Sequence, residues 1–311
     1  MAPVRVAIVG ATGYVGGELV RLLGRHPHVE IVGLWGRDRS AEPVGGIHPH
    51  LASTGLAVDA VMPESDAAFL ALPHRIAADA VLDWLDKRAT IIDLGPDFRL
   101  RDPADYPRWY GFEHPRPELL ATAVYGLPEL HRAELAALRS GGPDRPGIVG
   151  APGCYPTATL LALAPLARAG LIADLVVDAK SGVSGAGREA KADLMFGEVN
   201  ESVRAYGVGG HRHVAEIEQE LGRLSPGGAA SDPGVTRVDF LPHLIPMTRG
   251  ILASCHVRPT RPVDQAELDA LYAAAYDDEP FVHVVDEPPA TKHVMGSNHA
   301  RIHVRADERT G

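Results

Sequence analysis

The sequence predicts an α/β chain of two domains: a doubly wound parallel sheet in residues 1–150 and an α+β domain with a mixed, largely antiparallel sheet in residues 151–311. Three observations carry this. At 311 residues the chain exceeds one ordinary domain and suits two, each with its own core. Short β-branched runs alternate with helical periods through the first 150 residues, as in strands joined by crossover helices. Beyond Cys154 the strand candidates follow one another with fewer helices between them, which favours antiparallel pairing.

Taken in order, residues 4–9 read as a buried first strand and 17–23 as a helix after a glycine turn. Residues 30–34, 67–72 and 90–94 are further strands, and 76–85 carries apolar residues at helical spacing. The turn formers of 140–146 mark a domain boundary or a surface loop. Residues 157–169 read as a helix, 175–179 as a strand, and 181–187 as a Gly/Ser-rich loop. A helix over 213–224 places Glu216, Glu218 and Glu220 on polar positions, and 225–234 is a loop. Strands at 238–241, 251–257 and 281–285, with a helix over 264–276, complete the reading.

Composition narrows the function classes. Hydrophobic residues make up 45% and charged residues 23%, as in ordinary globular proteins. A net charge of −10, with no long run of Lys or Arg, excludes a nucleic-acid partner. Charges interrupt every apolar stretch well before the roughly 18 residues of a membrane span, and the N-terminus does not read as a signal peptide. Two cysteines, Cys154 and Cys255, make no disulfide framework and suit a reducing cytoplasm.

Gly10-Ala11-Thr12-Gly13-Tyr14-Val15-Gly16 follows the first strand and opens the first helix. Glycines there allow a tight turn and bring a helix N-terminus up to a pyrophosphate, as in Rossmann-type dinucleotide sites. After the second strand come Arg37, Asp38, Arg39 and Ser40. The cations and the hydroxyl favour the 2′-phosphate of NADP, while Asp38 favours NAD. Leu72, Pro73 and His74 end a later strand on the ligand-binding side of such a sheet.

Cys154 lies between a strand-like segment and a helix, where a helix N-terminus favours the thiolate. A thiolate is a suitable nucleophile for an acyl centre, and a thioester accepts hydride well. Cys255, within an apolar strand, reads as core. In Gly209-Gly210-His211-Arg212-His213, locally extended backbone would put both imidazoles on one side with Arg212 opposite. One of them suits acid–base work, and the alternatives are N-capping of the next helix or a metal. No neighbouring cysteine or carboxylate completes a ligand set, so no metal is expected. Arg188 and Arg249 have the geometry to bind a phosphate or a carboxylate.

Together with Asp93-Leu94-Gly95-Pro96-Asp97-Phe98-Arg99-Leu100, Tyr125-Gly126-Leu127-Pro128-Glu129, Gly153-Cys154-Tyr155-Pro156-Thr157, residues 181–188, His211-Arg212-His213, residues 242–250 and Gly296-Ser297-Asn298, these motifs occur in a specific order. In that order they resemble the N-acetyl-γ-glutamyl-phosphate reductases of arginine biosynthesis, over essentially the whole chain. The resemblance implies an architecture like that of aspartate-semialdehyde dehydrogenase, with NADP on the first domain and the nucleophile and oligomer contacts on the second. Carried over by motif, Cys154 is the nucleophile and His211 the acid/base residue. Tyr155, Arg188, His213 and Arg249 fall on the substrate side, and Ser181 and Gly182 join the cofactor residues. The implied substrate is an acyl phosphate, and the implied assembly a homo-oligomer, dimer or tetramer. Two departures stand out: Val214-Ala215-Glu216 lacks the family's usual proline, and the family's C-terminal strand and helix are expected to be absent after Gly311. The alternatives are the sister reductase acting on carrier-linked aminoadipyl phosphate, aspartate-semialdehyde dehydrogenase, and a non-catalytic NADP sensor. Tyr155-Pro156 and the His-Arg-His motif favour the first reading.

Overall fold

In the computed structural model the described residues are 2–36, 41–59, 61, 63–85, 89–140, 147–227 and 237–309. Met1–Pro152 and Gly153–Gly311 form two compact units. The break falls just before Cys154 and not at the turn-rich stretch 140–146, which joins a helix to a strand within the first unit; residues 141–146 themselves lie outside the described residues.

The first unit is built on six strands: β1 (Val4–Val9), β2 (Val29–Trp35), β3 (Ala67–Leu70), β4 (Thr90–Asp93), β5 (Ala123–Tyr125) and β6 (Ile148–Gly150). They form one parallel sheet in the order β2-β1-β3-β4-β6-β5. Such a sheet is buried where helices cover it, which explains why Ala7, Ile8, Ala68, Leu70 and Ile91 have no more than 1% exposure. Its longer helices are α1 (Tyr14–Leu23), α2 (Ile76–Leu85) and α3 (Pro128–Ser140). Helix α1 starts three residues earlier than the apolar spacing suggests, because Tyr14 and Val15 are helical yet 44% and 49% exposed.

The second unit holds α4 (Cys154–Arg168), β7 (Asp174–Ser181), β8 (Arg204–Ala205), α5 (His213–Leu224), β9 (Val238–Leu244), β10 (Ile251–Arg258) and α6 (Gln265–Tyr276). Its sheet runs β10-β7-β9-β8, antiparallel at both flanks and parallel between β7 and β9. A short parallel pair, β11 (Val282–Val284) and β12 (Ala300–Ile302), follows. Alternate β7 residues Leu175, Val177 and Ala179 are buried, whereas Val176 is 42% exposed, so one sheet face carries the core.

Helix α4 contains Pro165, which has no N–H to give the Leu161 carbonyl four residues back. The Tyr276 hydroxyl donates to that carbonyl at 2.5 Å, and Tyr272 donates to the next, Ala162 O, also at 2.5 Å. Two α6 tyrosines thereby fasten α6 to the middle of α4. Asp264 caps α6 by accepting the Glu267 N–H at 2.8 Å. No helix among the described residues is long and apolar enough to cross a membrane.

At the C-terminal end of β4, Asp93 and Asp97 are both fully buried. Asp97 accepts the backbone N–H groups of Arg75 and Ala78 at 2.9 and 3.0 Å and so caps α2, while its own carbonyl accepts from Tyr106 and His114. Asp93 accepts the Gly95 N–H through Oδ1, at 2.9 Å. Burial first, and the Asp97 charge second, push the Asp93 carboxyl up to about 7. A raised carboxyl pKa means the native state holds a proton that the unfolded state has released, so the stability present below about pH 4 is lost as the pH rises towards 7. Asp93→Asn should flatten that decline and, at pH 7 and above, exceed wild type by on the order of 2–4 kcal/mol. Urea unfolding at pH 4.5, 6 and 7.5 checks this; parallel pH dependences in the two proteins would refute it.

Candidate functional site

The glycine loop is shaped by its neighbours. Gly10 has φ +89°, and a side chain there would strike Ala71 O at 2.2 Å. A Cβ on Gly16 would meet Gly10 O at 2.2 Å, so close packing of α1 on the loop demands glycine. Gly13, the N-cap, is different: its Cβ would meet only Gly10 O, at 3.6 Å. No clash requires glycine there. Helix α1 has no acidic residue in its first turn and no side-chain cap, so its exposed first-turn N–H donors suit an anionic pyrophosphate. Gly10 and Ala11 donate to Trp35 O at 2.8 and 2.9 Å, and the Thr12 methyl lies against Gly36, joining the loop to the end of β2. Arg37, Arg39 and Ser40, with Asp38, lie outside the described residues. Leu72, Pro73 and His74 lead from β3 into the turn before α2, where the His74 ring stands 6.1 Å from that of Tyr110.

His48 is a supporting residue that the sequence pattern did not single out. Its Nε2 lies 2.9 Å from Ala11 O, and its ring packs where a Gly17 side chain would be. The adjacent His48 and Gly17 are far apart in sequence, and no local motif joins them.

In the second unit, Cys154 is the first residue of α4 and is exposed; the helix begins there and not at Thr157. Pro156 is tolerated because its missing N–H falls in the first turn, where no helical acceptor exists. Gly153 caps the helix without a side chain, and its backbone N–H donates 2.7 Å to Glu216 Oε1. A Cβ on Gly153 would meet His213 Nε2 at 2.6 Å, so the imidazole lies directly over the chain preceding the cysteine.

Glu216 and Glu220 correct the sequence reading: both are completely buried, and only Glu218 keeps partial exposure. The signal was in the periodicity, because Glu216 and Glu220 share the stripe of His213, Ile217 and Leu221. The histidine pair is also corrected. The backbone at Arg212 is helical, not extended, yet the rings of His211 and His213 stand 4.7 Å apart. They meet because His211 turns back onto the first residue of α5.

Around His211 stand the rings of Tyr155, Tyr206 and Phe240 at 5.7, 5.6 and 5.4 Å. The Tyr206 hydroxyl donates to Tyr155 Oη at 3.1 Å, and Tyr155 donates to His243 O at 3.2 Å. Burial raises both phenols, and the nearby Cys154 charge adds to the rise at each. Burial, then the adjacent Arg212, lowers His211 to about 4. The structure therefore brings Cys154, Tyr155, His211 and His213 into one cluster and adds Tyr206 and Glu216. Ser181 is buried at the end of β7. Gly182 passes so close to the backbone of Thr248 and Arg249 that a Cβ would meet Arg249 N at 2.8 Å. The side chains of Arg188 and Arg249 are exposed. Cys255 is recessed, lining a cavity of about 720 Å³ between β10, α4 and α6, and burial pushes its thiol up to about 12. Among the described residues, no group of three or more His, Cys, Asp and Glu is arranged to hold a metal ion.

Residues 5–138 match the family described as semialdehyde dehydrogenase, NAD binding domain, and residues 154–311 match semialdehyde dehydrogenase, dimerisation domain. The N-acetyl-gamma-glutamyl-phosphate reductase of Heliobacterium modesticaldum is 47% identical, over 99% of this chain and 88% of that protein. That of Desulforudis audaxviator is 48% identical over the same shares. The chain belongs to the N-acetyl-γ-glutamyl-phosphate reductase family. Its fold is that of semialdehyde dehydrogenases: the Candida albicans aspartate-semialdehyde dehydrogenase structure with NADP superposes with a TM-score of 0.68 at 16% identity, covering 94% of this chain and 85% of that one. A Vibrio cholerae aspartate-semialdehyde dehydrogenase II structure gives 0.67 at 17% identity, over 97% and 87%. In this member of the reductase family, the first unit is the nicotinamide-nucleotide-binding domain.

Removing the Glu216 acceptor leaves a buried Gly153 N–H unpaired. Glu216→Ala should cost about 1–3 kcal/mol of unfolding free energy, and Glu216→Gln, which keeps a side-chain oxygen, less than half of that. Thermal unfolding of the two variants is the check, and equal losses would remove this hydrogen bond from the account.

Proposed function

We propose that this chain is an NADPH-dependent N-acetyl-γ-glutamyl-phosphate reductase of arginine biosynthesis, forming N-acetyl-glutamate 5-semialdehyde and phosphate through a thioester on Cys154. The observation that carries the mechanism is the placement of Cys154 at the N-terminus of a 15-residue helix with no acidic residue in its first turn. That end of a helix favours negative charge, both on the sulfur and on an oxygen bonded to the carbon it attacks. Cys154 Sγ attacks the acyl carbon, the bond to the phosphate oxygen breaks, and phosphate departs. When bound, the reduced nicotinamide nucleotide supplies the hydride that takes the thioester to the aldehyde oxidation level. Breaking the carbon–sulfur bond then frees the aldehyde and restores the Cys154 thiolate.

The surrounding residues divide the remaining tasks. Gly10, Thr12, Gly13, Tyr14, Val15 and Gly16 hold the pyrophosphate, with Leu72, Pro73, His74, Ser181 and Gly182 completing the nucleotide site. Arg37, Arg39 and Ser40 hold the 2′-phosphate and favour NADP over NAD. Arg188 and Arg249 bind the anionic ends of the substrate, Tyr155 and His213 shape its pocket, and His211 serves the reacting oxygen. The protein works as a cytoplasmic homo-oligomer, a reading supported by the dimerisation-domain match.

The test is phosphate-dependent oxidation of N-acetyl-glutamate semialdehyde, followed by NADPH absorbance. Wild type should turn over and Cys154→Ala should fall by at least about 10⁴-fold. Inactive wild-type protein that still binds NADPH would overturn the reductase reading in favour of a nucleotide sensor. For cofactor choice, the Arg37→Ala, Arg39→Ala double variant should raise the KM for NADPH by about tenfold or more through loss of charge-assisted hydrogen bonds, with NADH little affected. Equal changes for both nucleotides would show that these arginines do not read the 2′-phosphate.

A further inference from the structure

His211 caps the helix that follows it with its own ring: Nδ1 accepts the His213 N–H at 3.1 Å. The same local turn occurs at His26, where Nδ1 accepts from His28 N at 3.2 Å, and at His114, where it accepts from Arg116 N at 3.1 Å. His114 shows what the turn does to the ring. Its other nitrogen lies 2.8 Å from the Asp97 carbonyl oxygen, which only accepts, so Nε2 carries the proton. By the same logic the lone pair of His211 Nδ1 is committed to a backbone donor, and the single ring proton resides on Nε2.

The environment opposes a second proton. Tyr155 of α4, Tyr206 after β8, Phe240 of β9 and His213 of α5 surround the imidazole, and Arg212 is the adjoining charged group. Burial and the Arg212 charge oppose a second proton, a Cys154 thiolate at the head of α4 favours one, and protonating Nδ1 would forfeit the bond it accepts from the His213 N–H. A ring already donor at Nε2 and acceptor at Nδ1 has no free basic nitrogen with which to take the thiol proton.

We propose that His211 acts as a neutral Nε2–H hydrogen-bond donor to the substrate's reacting oxygen, and not as the base that deprotonates Cys154. This rests on the reductase reading and narrows the acid–base role that the family resemblance implies. The proton balance permits it. Cys154 enters as a thiolate and leaves as one when the carbon–sulfur bond breaks. The one proton consumed overall passes from solvent to the departing phosphate. The imidazole keeps its proton throughout, its N–H strengthening its bond as negative charge builds on the oxygen.

Two measurements decide it. In ¹⁵N-histidine NMR of the nucleotide-free protein, with His211→Ala for assignment, the His211 resonances should be those of the Nε2–H tautomer and should not titrate between pH 5.5 and 8. In the assay, His211→Gln should keep kcat within about tenfold of wild type, because the glutamine amide N–H overlays Nε2–H, whereas His211→Ala should lose about 10²–10³-fold. An Nδ1–H tautomer, an imidazolium forming near neutral pH, or a glutamine variant as impaired as alanine in the presence of an active wild type overturns the donor role alone. A wild type inactive on the semialdehyde overturns the reductase reading and the donor role with it.

Discussion

One buried hydrogen bond, from the Gly153 N–H to the Glu216 carboxylate, sets where the cysteine end of α4 sits against α5. The bond is short, at 2.7 Å, and burial keeps water from competing for it. The rest of the cluster is arranged about that contact. His213, one helical turn before Glu216, covers Gly153 because glycine leaves its ring the space. His211, two residues earlier still, is held by capping the same helix. Helix α5 and the residues leading into it therefore supply the carboxyl group that seats Gly153, next to Cys154, and both imidazoles beside it. Glu216 engages a backbone donor ahead of the cysteine and so leaves the donors of the first turn proper to other acceptors.

The nucleotide-binding unit follows a different logic, in which backbone proximity replaces side-chain bonds. Gly10 and Gly16 are glycines because neighbouring backbone already occupies the space a Cβ would need. The loop is braced from the end of β2 by two N–H bonds to the Trp35 carbonyl, and from below by the His48 ring. At the C-terminal end of the interior strand β4, Asp93 and the nearby Asp97 do unequal work. Asp97 is engaged as a helix cap, and burial pushes the Asp93 carboxyl up to about 7.

Much of this was legible in the residues. Alternation of strand and helix over residues 1–150, the glycine turn and the cysteine before a helix are local signals, and the parallel sheet, the loop and the position of Cys154 follow them. The first helix starts before Gly17, unsignalled because Tyr14 and Val15 are exposed and carry no apolar period; α4 starts before Thr157 with Tyr155 and Pro156 buried in its first turn. Glu216 was misread because a carboxylate within an amphipathic helix is ordinarily a solvated one; its burial depends on Gly153, 63 residues away. Tyr206 escaped notice for a similar reason. Its partner Tyr155 lies 51 residues distant, and a lone tyrosine in a loop carries no spacing to read. Long-range pairs of this kind arise only when the chain has folded.

The contrast between the two cysteines has a practical side. Cys154 is exposed at a helix end, whereas Cys255 is recessed in its cavity with its thiol held to about 12. At neutral pH the second sulfur is protonated, which slows its alkylation, while Cys154 stands exposed. The native sequence thus carries its own labelling handle: a thiol reagent such as a fluorescent maleimide meets Cys154 first, without cysteine engineering.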